Sequence, residues 1–187
     1  NFVAIMDGME MDLNYNRYAS YRELHLYCYR AASVVGLLSA NIFGYTNKAT
    51  LKYAHDLGIA LQITNIIRDI AEDSERSRIY IPQDLLKKYE ISEKDVLHNK
   101  NNKQMKLLVD DLSVHALQFY QSAMKHLPHE DRDRQKPGLI MGNIYFMLLQ
   151  KIMKINNGFT FNNKVSLSTS RKLIIAITTV LGKSWIR

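Results

Sequence analysis

Between about Asn47 and Asp73 the chain runs for 27 residues without a proline. Apolar side chains recur through it at Leu51, Ala54, Leu57, Leu61, Ile63, Ile66, Ile67 and Ile70, the spacing of a helix with a broad buried face. A helix of that length is about 40 Å long and cannot cover its own apolar face. It needs partners of similar length, and the rest of the sequence offers them. Ser20-Tyr21-Arg22-Glu23 reads as a capping box that launches a helix to about Phe43, with Gly44 as its stop. Gln104 to Leu127 forms another amphipathic run closed by Pro128, and Pro137 opens one to about Ile155, ended by Asn157-Gly158. Shorter pieces complete the set: an opening helix to about Leu13, one after Pro82 to Tyr89, a turn from Ser92, and a terminal helix capped by Ser168 or Ser170 and running through Trp185. The segment from His129 to Arg134 reads as a solvated charged loop. Gly and Pro number only eight and three, about half their average share, which disfavours a turn-rich β fold. The expected fold is a single all-α domain over residues 1–187.

Composition narrows the function classes. A single cysteine, Cys28, excludes an intrachain disulfide framework. The formal charge of +7 favours anionic partners. The Lys and Arg residues read as scattered, with no docking motif, so nucleic acid is not an expected partner. No stretch reaches the ~18 apolar residues of a membrane span. Asn1-Phe2-Val3-Ala4-Ile5 carries neither a basic leader nor a cleavage site, and the chain reads as part of a longer polypeptide.

The chemistry concentrates in Gln62-Ile63-Thr64-Asn65-Ile66-Ile67-Arg68-Asp69-Ile70-Ala71-Glu72-Asp73. At about 100° per residue, Gln62, Asn65, Asp69 and Asp73 share one stripe of an otherwise apolar helix. Two amides and two carboxylates are costly to bury unpaired. Oxygen donors without thiol or imidazole suit a hard cation such as Mg²⁺, which takes one or two carboxylates together with phosphate oxygens. Arg68, Arg76 and Arg78 lie near the same helix end and could hold the phosphate. The competing reading is a solvated helix end whose carboxylates pair with these arginines.

A second group, Tyr27, Ala31, Val35 and Gly36 on one helix with Ala54 and Gly58 on the next, allows either close helix packing or a slot for a long apolar chain. Tyr27 and Tyr80 could offer ring faces to a cation, or serve structurally.

Three stretches of the chain resemble the squalene/phytoene synthase family: Tyr27-Cys28-Tyr29-Arg30-Ala31-Ala32-Ser33-Val34-Val35-Gly36, Leu57 through Asp69, and Glu72-Asp73 with Arg78-Ile79-Tyr80-Ile81-Pro82. Met9-Glu10-Met11-Asp12 fits as well. Ala32 through Ser39 and the acidic run before Arg78 look closer to bacterial squalene-pathway members. The resemblance implies an isoprenoid-synthase helical bundle around a central cavity, of which this chain resembles the C-terminal part without the N-terminal helices. It implies Mg²⁺-dependent head-to-head condensation of two prenyl diphosphates, farnesyl diphosphate first among them, to a presqualene-, squalene- or phytoene-type product. NADPH would enter only in members that reduce the intermediate.

Carried over by position, Asn65, Asp69 and Asp73 would be metal ligands, and Gln62, Arg68 and Arg78 would bind diphosphate. Tyr27 and Tyr80 would act with Asp69 and Asp73 in catalysis. Ala31, Ala32, Val35, Ala54, Gly58 and Tyr145 would line the prenyl channel. The pattern departs from the family in two ways. No first acidic motif precedes Tyr27, Asp7 and Asp12 being in the wrong context for it, and Ser77 replaces a usual glycine. The chain is therefore expected to be inactive alone; the alternative is a catalytically inactive paralogue acting as a scaffold. A cytoplasmic protein with peripheral membrane contact is expected. The basic stretch from Arg171-Lys172 to Lys183-Arg187, with Leu173, Ile174, Ile177 and Trp185, could serve as its anchor or pack inward as a core helix.

Overall fold

The computed structural model describes residues 2–154 and 165–186. Its elements in chain order are α1 (Phe2–Asn14), α2 (Tyr21–Cys28), a π-helical turn (Tyr29–Ser33), α3 (Val34–Phe43), α4 (Ala49–Glu75), α5 (Gln83–Lys88), α6 (Glu93–Leu97), α7 (Lys103–His126), a 3₁₀ turn (His129–Asp131), α8 (Lys136–Lys154) and α9 (Thr169–Val180). Among the described residues there is no strand. The Asn157-Gly158 stop lies outside them.

The long central run behaves as its periodicity requires. Leu57, Ile59, Ile63, Ile66, Ile67 and Ile70 of α4 are all buried. Its most extensive partner is α7, which contributes Leu108, Leu112, Ala116 and Tyr120 to the same core. Even the polar Thr64 is accommodated there, its hydroxyl 3.0 Å from that of Tyr120. On the other side α3 and the π turn close against α4. A Cβ on Gly58 would stand 2.5 Å from the Ser33 Cα, and one on Gly36 would stand 2.7 Å from the Ala54 carbonyl oxygen. These glycines let two backbones touch, and the widened π turn is where they do so.

The termini of the helices follow local chemistry. Ser20 accepts from the Glu23 N–H, but the Glu23 carboxylate reaches the Ala19 N–H at 2.7 Å rather than that of Ser20, so the expected box is displaced by one residue. Ser92 and Asp95 form the reciprocal box in full. The terminal helix stops at Val180, short of the expected Trp185. Gly182 takes φ +92° there, and the Lys183 N–H bonds back to the Thr178 carbonyl at 2.9 Å, a left-handed helix ending that a glycine supports.

Two further expectations are corrected. Residues 129–134 are not simply a solvated loop, because the Asp131 side chain is fully buried. Its carboxylate accepts from the Thr46 and Asn47 N–H groups at 2.7 and 3.0 Å and from the Thr46 and Thr50 hydroxyls at 2.7 and 2.6 Å. It thereby ties the entry of α4 to the turn before α8. Burial pushes this carboxyl up, but the hydrogen bonds from Thr50, Thr46 and Asn47 outweigh it and hold it well below the usual range. A depressed carboxylate adds stability above its unfolded pKa and loses it as pH falls through the folded one. Asp131→Asn should therefore lower the melting temperature at pH 7, with the deficit shrinking toward strongly acid pH in parallel circular-dichroism melts; equal deficits at both ends would contradict this.

The second correction concerns the membrane criterion. The helical stretch Tyr21–Phe43 is 23 residues long with a window of mean hydropathy 1.2, which meets the length and apolarity of a span. Its small residues face α4 and an internal cavity.

Candidate functional site

α3, α4 and the start of α8 enclose a cavity of about 360 Å³. Ala31, Ala32, Val35, Ala54, Gly58 and Tyr145 all line it, with Gln62 and Asn65 at its polar end. Close packing and an open hollow coexist at these small residues. Gly58 is a backbone contact and a wall of the hollow, because the helices touch at one level and part at the next.

From Asn65 the polar stripe leads out along α4. The Asn65 amide NH₂ donates to the Gln62 side-chain oxygen at 3.4 Å, and the Gln62 NH₂ donates to the Tyr27 hydroxyl at 3.4 Å. Tyr27 in turn donates to one oxygen of Asp12 at 3.2 Å, and Tyr80 donates to the other at 2.7 Å. Asp12 is thus the hub of this hydroxyl network, a place distinct from the first acidic motif that it was not expected to supply. Periodicity could not reveal this, since the partners lie 15 and 68 residues away. The one sequence signal was the match of Met9-Glu10-Met11-Asp12 to the family pattern.

The tyrosines form a cluster. The rings of Tyr18, Tyr27 and Tyr80 stand 5.2 to 5.7 Å apart, centroid to centroid. Burial, followed by Tyr80 and the Asp12 charge, pushes the Tyr27 phenol far up, and burial with the Asp12 hydrogen bond pushes Tyr80 up to about 12. All three rings remain neutral at physiological pH. They present electron-rich faces and two hydroxyls oriented by one carboxylate. Tyr18 was not foreseen as a member.

The loop after α4 brings the last groups in. Ser77 adopts φ +57°, and the Arg78 N–H bonds to the Asp73 carbonyl at 2.9 Å, so the helix ends in a left-handed turn. That conformation explains why a glycine is usual at this position. The Ile79 N–H then pairs with the Asn16 carbonyl at 3.1 Å, which fixes the strand-like segment beside the end of α1. Arg78 donates to the Asp12 carbonyl at 3.0 Å, and Asp73, Arg78 and Tyr80 share a small recess.

Asn65, Asp69 and Asp73 are half-buried on one face of α4. Burial, then the charges of Asp69 and Glu72, pushes the Asp73 carboxyl up to about 6. Asp69 is gripped in a fork by Arg68, Nε to Oδ1 at 2.8 Å and the second pair at 2.5 Å. Arg68 also lies 3.5 Å from the Tyr145 hydroxyl, so it is committed to Asp69 and is not free in the cavity.

The donor set fits a divalent cation. Asn65 Oδ1 is buried with no hydrogen-bond partner, and like charges along the stripe repel one another, which a cation would relieve. Among the described residues no group of three His, Cys, Asp or Glu side chains could hold a metal alone. Phosphate oxygens would have to complete the shell. A second cavity of about 360 Å³ shares Met141 and Tyr145 with the first and reaches Arg68 and Lys172.

The chain is similar to several known proteins. The phytoene synthase of an Oncidium hybrid cultivar is 33% identical over all of this chain and 46% of its own length. The presqualene diphosphate synthase of Rhodopseudomonas palustris is 38% identical over 82% of this chain and 55% of its own. Relatives from the carotenoid and squalene branches are thus both represented. The chain spans about half the length of these relatives. Among solved structures, a dehydrosqualene synthase crystallised with a ligand superposes with a TM-score of 0.80 at 24% identity, over 97% of this chain and 63% of its own. The squalene synthase HpnC from Alicyclobacillus acidocaldarius gives 0.71 at 20%, over 84% and 60%. The fold is that of the isoprenoid synthases. With the family description Squalene/phytoene synthase matching residues 1–171, the chain belongs to the squalene/phytoene synthase family.

Proposed function

We propose that this chain supplies one wall of a head-to-head prenyltransferase that joins two prenyl diphosphates, farnesyl diphosphate being the expected substrate. The observation that carries the reading is the polar stripe running from an apolar cavity of about 360 Å³ to Asp73, with the Asn65 oxygen buried and unsatisfied at the junction. Asn65, Asp69 and Asp73 would hold Mg²⁺. When bound, the cation neutralises the diphosphate and makes it a better leaving group. Arg78, whose side chain is fixed by the Asp12 carbonyl, meets the phosphate oxygens.

The reaction breaks the allylic C–O bond of one substrate, whose electron pair departs with pyrophosphate. The double bond of the second substrate attacks the allylic carbon. One proton is lost as the cyclopropane ring closes, giving a cyclopropylcarbinyl diphosphate. Tyr27 and Tyr80 stand outside the cavity lining, with Tyr27 joined to it through Gln62, and their neutral rings would favour a carbocation that forms at that polar end. The small residues of the π turn, α3 and α4 would leave room for the prenyl tails. Facing the stripe, a second acidic set is needed for full activity, so the chain alone should bind substrate without condensing it.

Product analysis with farnesyl and geranylgeranyl diphosphates, with and without NADPH, tests this alongside calorimetric binding of pyrophosphate with Mg²⁺. Turnover by the chain alone would remove the half-site reading, and absence of Mg²⁺-dependent binding would remove the function, leaving the scaffold alternative.

The raised Asp73 pKa sets the pH dependence. Metal binding needs the carboxylate, so affinity for Mg²⁺–pyrophosphate should climb between pH 5 and 7, by up to about tenfold per unit below pH 6. Pyrophosphate also ionises over this range, so Asp73→Asn should make the profile shallower than that of the wild type. Identical profiles for the two proteins would count against Asp73 as a ligand.

A further inference from the structure

The excess of positive over negative charge lies at one end of the chain. Up to Asp133 there are 16 Lys and Arg against 18 Asp and Glu, whereas from Arg134 onward there are nine and none. The cations are scattered in number but not in net charge, and of these nine, Lys136, Lys151 and Lys154 sit on α8, Arg171 and Lys172 on α9, and Lys183 just after it. Charge asymmetry of this kind marks a surface that meets something anionic.

α9 carries a second asymmetry. It packs on α8 by a narrow seam: Ile175 is buried, and Thr179 receives the Asn143 amide N–H at 3.0 Å. The tail is held by the same asparagine, whose oxygen accepts from the Trp185 and Ile186 N–H groups at 3.0 and 3.3 Å. The opposite face is aliphatic and exposed: Leu173 59%, Ile174 49%, Ile177 52%, Val180 49% and Leu181 80%. Their spacing forms one stripe along the helix. An ordinary surface helix would show solvent its polar side.

Cations flank the stripe. Arg171 and Lys172 begin it, and Lys183 follows its end. The Trp185 ring lies between Arg171 at 5.3 Å and Lys183 at 3.9 Å, measured to its centroid. Val180 and Lys183 also form the edge of a hollow of about 430 Å³, to which Arg132, Lys136 and His129 contribute. The one acidic side chain in it, Asp133, is paired with Lys136 at 2.9 Å. An aliphatic stripe, an amphipathic indole and a basic hollow therefore share one side of the molecule.

We propose that this side docks on an anionic lipid surface. The α9 stripe enters the acyl boundary, Trp185 rests at headgroup level, and Arg132 with Lys183 receives a headgroup phosphate. Charge complementarity selects this occupant. A second copy of the chain would bring two wholly basic segments together, and a nucleic acid would leave five aliphatic side chains in water. Lys172 on α9 also lines the cavity that adjoins the central one, so the docked face is also the one nearest that hollow. The inference does not depend on the prenyl chemistry, and its readout needs no turnover.

The test is sedimentation of the chain with phosphatidylcholine vesicles, alone or mixed with phosphatidylglycerol, at rising salt. The mixed vesicles should bind about tenfold tighter or more, and salt should erode the difference. Ile174→Asp with Ile177→Asp should lower binding about tenfold or more to the mixed vesicles. Arg132→Gln with Lys183→Gln should remove the preference for anionic lipid while leaving the apolar contribution. All substituted side chains are at least partly exposed, and unchanged melting curves would show that the fold is kept. Equal binding to both vesicle types would overturn the proposal, as would binding unaffected by the double Asp variant. So would a dimer in light scattering that dissolves on Ile174→Asp, or a preference for a single-stranded oligonucleotide over vesicles.

Discussion

Asp69→Asn combined with Asp73→Asn should abolish Mg²⁺-dependent pyrophosphate binding by this chain, and should lower product formation by a synthase carrying it by roughly a thousandfold or more. The size follows from what the pair does in the structure. These are the two carboxylates on the stripe with Asn65, and Asp73 is already pushed up to about 6 by burial and by its acidic neighbours. Removing the Asp73 charge relieves that repulsion, so Asp73→Asn alone should melt no lower than the parent in metal-free buffer, whereas Asp69→Asn also breaks the fork with Arg68 and should lower the melting temperature. Stability kept with binding lost at Asp73 is the pattern of a functional carboxylate. If the two carboxylates merely solvated a helix end, binding would persist, and calorimetry would show it directly.

Gly58→Ala should destabilise the fold by about 3 kcal/mol, near 10 °C in melting temperature for a chain of this size. The added Cβ would meet the Ser33 Cα at 2.5 Å and the Ala32 oxygen and Ser33 nitrogen at 2.9 Å. All three are backbone atoms, so no side chain can swing aside to make room. Relief would require α4 to move from the π turn, which would also open the cavity between them. Gly182→Ala is the control: its Cβ would meet nothing within 4 Å, and only its φ of +92° opposes the change. Melting curves of the two variants within about 2 °C of each other would refute the close-approach argument.

The contrast between these sites explains what could be read without coordinates. α4 was legible because a single periodic signal over seven turns states both the helix and its buried face. The stripe on it was legible for the same reason, since Gln62, Asn65, Asp69 and Asp73 are neighbours by helical arithmetic alone. Asp12, Tyr18 and Asp131 were not. Their partners lie far away in sequence, and an isolated acidic or aromatic residue has the same local appearance whether it is solvated or enclosed. Asp131 shows the error in its strongest form: four charged residues and a histidine surround it in a short run, yet it alone turns fully inward, because the turn leading into α4 presents the Thr46 and Asn47 N–H groups at that point. The end of α9 was misjudged for a smaller reason, the left-handed glycine at 182 being one residue among several acceptable stops.

The fork between Arg68 and Asp69 bears on the order in which ligands arrive. With its guanidinium in place, the resting site carries its own internal counter-ion, and under the proposed function a bare divalent ion would have to compete against it for the same oxygens. An ion that comes already chelated by an anionic ligand offers the displaced guanidinium a new phosphate to hold. Such an exchange would make occupancy cooperative, each guest lowering the cost of admitting the other.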